Sequence, residues 1–241
     1  METGDPLKML KEWISASQKT VVLTGAGMST ESGVPDFRSK NGFYAHYDPA
    51  EVASVGAIEN HYETFHQFYQ RRIEDLKKVK PHKGHEILAQ WESEGRIHLI
   101  ATQNIDRLHQ LAGNRNVYEL HGNIRTFRCA RCDHPAGEES FLAGKRCPQC
   151  GGPLRPNVVL FGEMLPQEEW RKTVEEASEA DLILIIGTSL NVSPFNQIPF
   201  YSRGKKALIN MEPTLLDDQL DLRVFGKAGE ILSQLHSLLL N

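Results

Sequence analysis

The chain has 241 residues, with 27 Lys+Arg against 31 Asp+Glu and a formal net charge of −4. It is 40% hydrophobic and 24% charged, which excludes a disordered or collagen-like chain and predicts a core that needs no disulfides. The mild acidity offers no general field for nucleic acid or an anionic membrane, and the length fits one domain, or one domain carrying a smaller module.

The N-terminal stretch Met1 to Lys11 carries acids and no apolar core, so it does not read as a signal peptide, and a cytoplasmic protein is expected. Lys8 to Ser15 reads as a short amphipathic helix with Met9, Leu10 and Trp13 on one side. Thr20 to Thr24 reads as a buried strand that ends in Gly25-Ala26-Gly27. Two glycines after a strand let the backbone approach a pyrophosphate, and the helix predicted to open here would favour negative charge at its start. Taken alone this turn is weak. Thr30 stands where the dinucleotide fingerprint has its third glycine, and no clear acidic ribose ligand follows, although Asp36 and Asp48 are in range. Residues 41 to 80 are rich in aromatics and His, with helical spacing around Phe65, Phe68, Tyr69 and Ile73. Pro81 is placed to open a helix that buries Ile87, Leu88 and Trp91. Arg96 to Ile100 is predicted as a strand, and Asn104 and Asp106 read as ending a strand and pointing at the ligand edge of the sheet.

All four cysteines fall in two pairs, Cys129-Ala-Arg-Cys132 and Cys147-Pro-Gln-Cys150. A repeated C-x2-C is the thiolate pattern of a structural zinc site; two disulfides or four unrelated thiols are the alternatives, and disulfides fit a cytosolic chain poorly. With all four positions taken by thiolates, such an ion serves folding, not chemistry. Further on, Asn157 to Phe161 is an apolar run, Glu168 to Ala180 looks helical, and Asp181 to Ile186 reads as a strand ending in Gly187-Thr188-Ser189. The uncharged run from Leu182 to Ser202 turns polar after Ile186, which suits a buried strand and loop, not a membrane span. Ala207 to Asn210 is another strand, and Gly229 to Leu239 a helix with one apolar face. Strands alternating with helices predict an α/β fold with a mainly parallel sheet, interrupted between about 125 and 155 by an inserted zinc module.

The glycine turn continues as Gly25-Ala-Gly-Met-Ser-Thr-Glu-Ser-Gly-Val-Pro-Asp-Phe-Arg38. In this order follow Thr102-Gln-Asn-Ile-Asp-Arg-Leu-His109, Glu119-Leu-His-Gly122, the cysteine pairs, Arg155-Pro-Asn-Val-Val-Leu-Phe-Gly-Glu163, Gly187-Thr-Ser189 and Asn210. Across about residues 10 to 238 the chain resembles the sirtuin family of NAD-dependent protein lysine deacylases. The resemblance implies a Rossmann-like parallel-sheet domain with an inserted small zinc-binding module. It implies one catalytic unit over 1–241, its NAD-binding part formed by about 8–40, 80–124 and 156–241 and its small helical and zinc module by about 41–79 and 125–155.

The implied reaction joins NAD, as co-substrate, to an acylated lysine. The acyl-amide oxygen attacks the anomeric carbon of the nicotinamide ribose, nicotinamide leaves, and the acyl group ends on ADP-ribose with the lysine freed. By resemblance Gly25, Ala26, Gly27 and Ser29 cradle the pyrophosphate. The loop Pro35-Asp36-Phe37-Arg38 covers the site, with Phe37 shielding the ribose. Gln103 and Asn104 meet the ribose, while Ile105 and Asp106 bind the nicotinamide carboxamide. His121 is the general base, and His121, Asn104 and Asp106 form the catalytic set. Gly187, Thr188 and Ser189 contact phosphate and ribose, Asn210 and Glu212 the adenine-side ribose, and Lys227 and Ala228 the adenine. Phe161, Gly162 and Glu163 face Asn191, Val192 and Ser193 across an extended substrate peptide. The metal ligands are Cys129, Cys132, Cys147 and Cys150, holding one structural zinc ion.

Tyr69 and Arg72, with Ala53, match the acyl-pocket pattern of relatives that prefer succinyl- or malonyl-lysine, so acidic-acyl activity stands as an alternative below deacetylation. Protein ADP-ribosyl transfer is a second alternative, and a non-catalytic NAD or ADP-ribose sensor a third. A zinc-ribbon nucleic-acid binder is a fourth, but Arg125, Arg128, Arg131 and Lys145 suit a solvated face on an acidic protein. His85 and His109 read as structural, and the pair His82 and His85 lacks a third metal ligand. The expected partners are acyl-lysine proteins or peptides, with neither nucleic acid nor membrane, and the protein is expected to be a monomer.

Overall fold

The computed structural model describes residues 5–37, 39–40 and 42–240. Arg38, expected over the cofactor, and residues 1–4 lie outside them. Asp5 caps α1 (Pro6–Ala16) by accepting the Leu7 amide at 3.0 Å, and Pro6 supplies a preset first-turn φ. β1 (Thr20–Thr24) is buried throughout. The sequence predicts a helix next; the chain instead makes two short 3-10 turns, Ala26–Met28 and Thr30–Ser32. Gly33, at φ 88°, ends the second turn, and Pro35 disfavours helical geometry at Val34, so no α-turn can propagate.

The aromatic segment folds as α2 (Pro49–Val52), α3 (Val55–Asn60) and α4 (Tyr62–Leu76), the last burying Phe65, Phe68, Tyr69, Arg72 and Ile73. α5 (Lys83–Ser93) opens after His82, not at Pro81, because the His82 ring caps it. β2 (Leu99–Thr102) begins three residues later than predicted: the Arg96 and Ile97 amides bond back to the Trp91 carbonyl, closing α5. Then come α6 (Leu108–Ala112), β3 (Val117–Glu119), β4 (Gly122–Cys129), β5 (Pro135–Ala136), α7 (Glu138–Leu142) and β6 (Leu154–Val158). α8 (Gln167–Glu179), β7 (Leu182–Ile186), β8 (Lys205–Asn210), β9 (Leu222–Phe225) and α9 (Ala228–Leu239) complete the chain.

Six strands pair in the order β3-β2-β1-β7-β8-β9, all parallel. Counted within this sheet the order is 3-2-1-4-5-6, that of the dinucleotide-binding Rossmann sheet, and it reverses between β1 and β7. On one face α1, α5 and α9 bury Leu10, Ile14, Ile87, Leu88, Trp91, Leu232 and Leu235 against the strands. On the other, Ala177 of α8 joins Phe195, Ile198 and Leu120. β3 and β9, which the sequence does not announce, are the two edges.

A separate antiparallel sheet, β5-β4-β6, carries the cysteine region and packs with α2, α4 and α7 through Val52, Phe65, Phe68, Phe127, Phe141 and Leu154. The apolar run at 157–161 belongs here: Asn157 and Val158 end β6, and Phe161 bridges to Ser54. No helix among the described residues is long and apolar enough to cross a membrane.

Candidate active site at the reversal of the large sheet

The loop after β1 lies where the strand order reverses, at the carboxyl ends of β1 and β7. The Gly25 amide donates to the Ile186 carbonyl at 3.1 Å and the Gly27 amide to the Gly187 carbonyl at 2.8 Å. Side chains do not fit at this crossing. A Cβ on Gly27 would stand 2.8 Å from Gly187 Cα, and one on Gly187, which sits at φ 62°, 2.2 Å from the Met28 amide nitrogen. The glycines therefore keep a bare backbone ledge open to a ligand.

A buried polar layer supports that ledge. Asn104 Nδ2 donates to the Gly25 carbonyl at 2.9 Å and to Ser29 Oγ at 3.1 Å. Ser29 Oγ in turn donates to Asp106 Oδ2 at 2.8 Å, and the Leu108 amide donates to Asp106 Oδ1 at 2.9 Å. Burial raises the Asp106 carboxyl above its ordinary value, against the opposing pull of the Leu108 amide and Ser29. Asn104 and Asp106 lie in the turn after β2, not on its end, and the Asn104 amide is tied to Thr102 Oγ1 at 3.0 Å. Gln103 Nε2 donates to Thr188 Oγ1 at 2.9 Å, joining the turns after β2 and β7.

One cavity of about 1010 Å³ opens above the ledge. It is lined by Ala26, Gly27, Asp36, Phe37, Gln103, Asn104, Ile105, His121, Gly187, Thr188, Ser189, Asn210 and Glu212 from the expected cofactor and catalytic set. Phe161, Gly162, Glu163, Asn191, Val192, Ser193, Ala53, Tyr69 and Arg72 from the expected substrate set line it too. Gly25, Ser29 and Asp106 sit beneath the lining and shape it through the bonds above. Lys227 and Ala228 do not line it. Lys227 precedes α9 with its ammonium 3.0 Å from Glu230, and Ala228 is buried in the core under the sheet. Thr30, Tyr44, Phe68, Met164, Trp170 and Met211 also line the cavity. Of these, Thr30, Phe68, Met164 and Met211 each adjoin a residue expected at the site (Ser29, Tyr69, Glu163 and Asn210), while Tyr44 and Trp170 do not.

His121 immediately precedes β4, half-buried, with its ring centroid 6.4 Å from that of Phe195. Its carbonyl accepts the Val159 amide at 2.9 Å, which ties it to the strand leading into Phe161. The Phe161 amide donates to the Ala53 carbonyl at 2.7 Å and the Val55 amide to the Phe161 carbonyl at 3.1 Å. Glu163 is committed to the protein itself: its carboxylate takes Arg155 Nη1 at 2.5 Å, Arg155 Nη2 at 2.9 Å and the Leu160 amide at 2.8 Å. Burial works against the Glu163 carboxylate, but the Arg155 and Leu160 donors outweigh it and hold the group below its ordinary value. Glu163 thus braces the turn at Phe161 and Gly162. On the opposite wall Phe37 packs on Phe43 and Tyr44, with ring centroids 5.6 and 5.3 Å apart. The buried Arg72 guanidinium lies 4.5 Å from the Phe43 centroid and 5.0 Å from that of Phe37.

The four cysteine sulfurs lie within 4.8 Å of one another, with Cys129 and Cys150 at 3.5 Å and Cys132 and Cys147 at 3.7 Å. A tetrahedral zinc with Zn–S bonds of about 2.3 Å sets its sulfurs about 3.8 Å apart, so the cluster fits that ion. Among the described residues no other group of His, Cys, Asp or Glu is arranged for a metal.

The strand order and the glycine ledge define a dinucleotide-binding α/β protein with an inserted four-cysteine module. The Sir2 family model matches residues 25–194, and the chain belongs to the Sir2 family. It is 48% identical over 235 residues to the "NAD-dependent protein deacetylase 1" of Geobacillus kaustophilus, covering 95% of this chain and 97% of that one. It is 38% identical to the "NAD-dependent protein deacylase 2" of Archaeoglobus fulgidus, covering 96% and 95%. Among solved structures it resembles a Sir2 protein with p53 peptide and NAD+, at 35% identity and TM-score 0.88, covering 96% and 98%. A Sir2 protein with deacetylated p53 peptide and 3'-O-acetyl ADP-ribose gives 35% identity and TM-score 0.92, covering 96% and 98%.

Proposed function

We propose that this protein is an NAD-dependent protein-lysine deacetylase, which moves the acyl group of a modified lysine to ADP-ribose and releases nicotinamide. The single observation that carries this reading is one continuous cavity shared by the glycine ledge, His121 and the two segments at 161–163 and 191–193. The family membership and the names of the relatives support it.

NAD, when bound, supplies an anomeric carbon with nicotinamide as its leaving group. The chain's own residues do the rest. The backbone of Gly25 to Gly27 and Gly187 receives the phosphates, and Asn104 holds that backbone from below while Ser29 is held by Asp106. Phe37, with Tyr44 behind it, walls the reacting end against water. Gly162 and Val192 offer main chain to an extended peptide, so many sequences can enter. His121 takes a proton from a ribose hydroxyl at a ring nitrogen. The four cysteines would hold one zinc ion that ties the end of β4 to the loop before β6 and serves the fold, not the reaction.

The acidic-acyl alternative keeps Ala53, Tyr69 and Arg72 in the same lining, but the relatives are named deacetylases and deacylases, and acetyl-lysine is the substrate we assign. A panel of acetyl-, succinyl- and longer-acyl-lysine peptides with NAD, read by mass for O-acyl-ADP-ribose, tests both. The acetyl peptide is expected to give the product. Succinyl turnover without acetyl turnover would move the assignment to the alternative, and no acyl-ADP-ribose from any peptide would remove it.

A further inference from the structure

The glycine loop is fastened from outside by two side chains that the proposed reaction does not use. Glu31, in the second 3-10 turn, accepts the Gly229 amide on Oε2 at 2.6 Å. Gly229 stands in the first turn of the 12-residue α9, whose own N-cap Lys227 makes no side-chain capping bond. A carboxylate from a loop distant in sequence thus supplies the missing cap, where the helix dipole favours it. The second fastening is His82. Its Nδ1 accepts the Gly84 amide at 3.0 Å, and its Nε2 lies 2.7 Å from the Met28 carbonyl. This pairing assigns a neutral ring with the proton on Nε2, donating to the loop.

The two fastenings meet. A Cβ on Gly229 would stand 2.7 Å from His82 Nδ1 and 3.1 Å from Glu31 Oε1. A Cβ on Gly84 would stand 2.6 Å from His82 Cε1 and 3.1 Å from Gly229 Cα. The starts of α5 and α9 therefore close on His82 and Glu31 with no room for a larger residue. Each residue holds one turn of the loop: His82 the turn ending at Met28, Glu31 the turn ending at Gly33.

We propose that Glu31 and His82 are positioning residues for the dinucleotide, a two-point clamp that holds the phosphate loop in its ligand-ready shape. The proposal rests on the NAD-binding reading above and names the residues that set affinity without touching the ligand. The carboxylate of Glu31 acts as an acceptor, so an amide can replace it. The ring of His82 acts both as a cap and as a loop donor. Asparagine can keep the cap, but is too short to reach the Met28 carbonyl.

Calorimetric titration of the full chain with ADP-ribose, beside KM for NAD and for an acetyl-lysine peptide, tests the clamp. Glu31→Ala is expected to weaken ADP-ribose binding about threefold to tenfold, the span of one lost hydrogen bond, and to raise KM for NAD alike while the peptide KM stays. Glu31→Gln should restore affinity to within about twofold, and His82→Asn should fall between the two. Leu235→Ala, a core change on α9 six residues beyond Gly229, serves as the control for plain destabilisation. The proposal is overturned if Glu31→Ala binds ADP-ribose like the parent, if Gln does not rescue, or if Leu235→Ala weakens binding as much. A parent protein that binds no ADP-ribose at all would instead remove the NAD reading on which the clamp rests.

Discussion

The cavity has two walls built on different principles. The large-sheet wall is self-supporting. Its central strands are fully buried, apolar clusters cover both faces, and a relay of hydrogen bonds from Asn104 through Ser29 to Asp106 locks the loop. The small-sheet wall has three strands, one apolar cluster and a register break in β4 between Gly122 and Phe127. Four sulfurs gather at the end of β4 and in the loops between β4 and β6. The contrast teaches a division of labour: the large-sheet wall is preset by packing, while the small-sheet wall gathers four thiolates placed to take a metal.

The largest expected effect breaks the small-sheet wall alone. Structural zinc is worth on the order of 10 kcal/mol or more in small zinc modules, so Cys147→Ser or a strong chelator should abolish deacylation. Amide hydrogen exchange should then show lost protection across 122–158 with β1 and β7 still protected. Equal loss in both sheets would erase the distinction. Next comes the junction of the walls. His121→Tyr should lower peptide-dependent nicotinamide release by at least about 100-fold, the scale of one general base, with the melting temperature little changed. Undiminished release would remove His121 from its role.

A smaller change attacks the preset wall. Gly187→Ala places a Cβ 2.2 Å from the Met28 nitrogen at a residue with φ 62°. The cost should be about 1–3 kcal/mol, seen as weaker ADP-ribose binding and a lower melting temperature, with the zinc content unchanged. Unaltered binding would mean that the glycine crossing does not shape the ledge.

The last lever is pH, which changes no residue. His85 and His109 are buried in the large-sheet half, with ring centroids 4.9 Å apart. Burial first, and neighbouring imidazoles second, depress them to about 2 and about 3. Their unfolded forms titrate near 6.5, so the unfolded chain binds protons first as the pH falls. Stability is then full above about pH 6.5 and declines below it by up to about 1.4 kcal/mol per pH unit per histidine, until the folded values are reached. The Glu163 carboxylate, held low by Arg155, keeps its contribution until the pH drops below its ordinary 4.5 and loses it as the group protonates. Denaturant melts between pH 7.5 and 5 should therefore show the large sheet weakening first. A flat profile over that range would contradict buried neutral imidazoles.

Much of this was legible because some signals are local. β1, β7 and β8 announce themselves as short apolar runs, since both faces of a central parallel strand are covered. The cysteine spacing and the ordered motifs need no tertiary context. The failures have a common cause in contacts distant along the chain. β3 is a half-buried three-residue edge and β9 a four-residue one, so neither carries enough periodicity to stand out. The stop after Gly27 depends on Gly33 and Pro35, and the delayed start of β2 on the Trp91 carbonyl. The supporting bonds of Asp106 and Glu163, to Ser29 and Leu108 and to Arg155 and Leu160, likewise need the tertiary fold to be seen. Trp170 lines the cavity from a helix whose pattern shows only an apolar face.

The most direct measurement is the stoichiometry of nicotinamide release by the zinc-loaded protein, with and without an acetyl-lysine peptide. If the two walls act together, release requires the peptide, and each nicotinamide matches one freed lysine and one O-acetyl-ADP-ribose. Release at the same rate without peptide, or freed lysine without nicotinamide, would contradict the assignment.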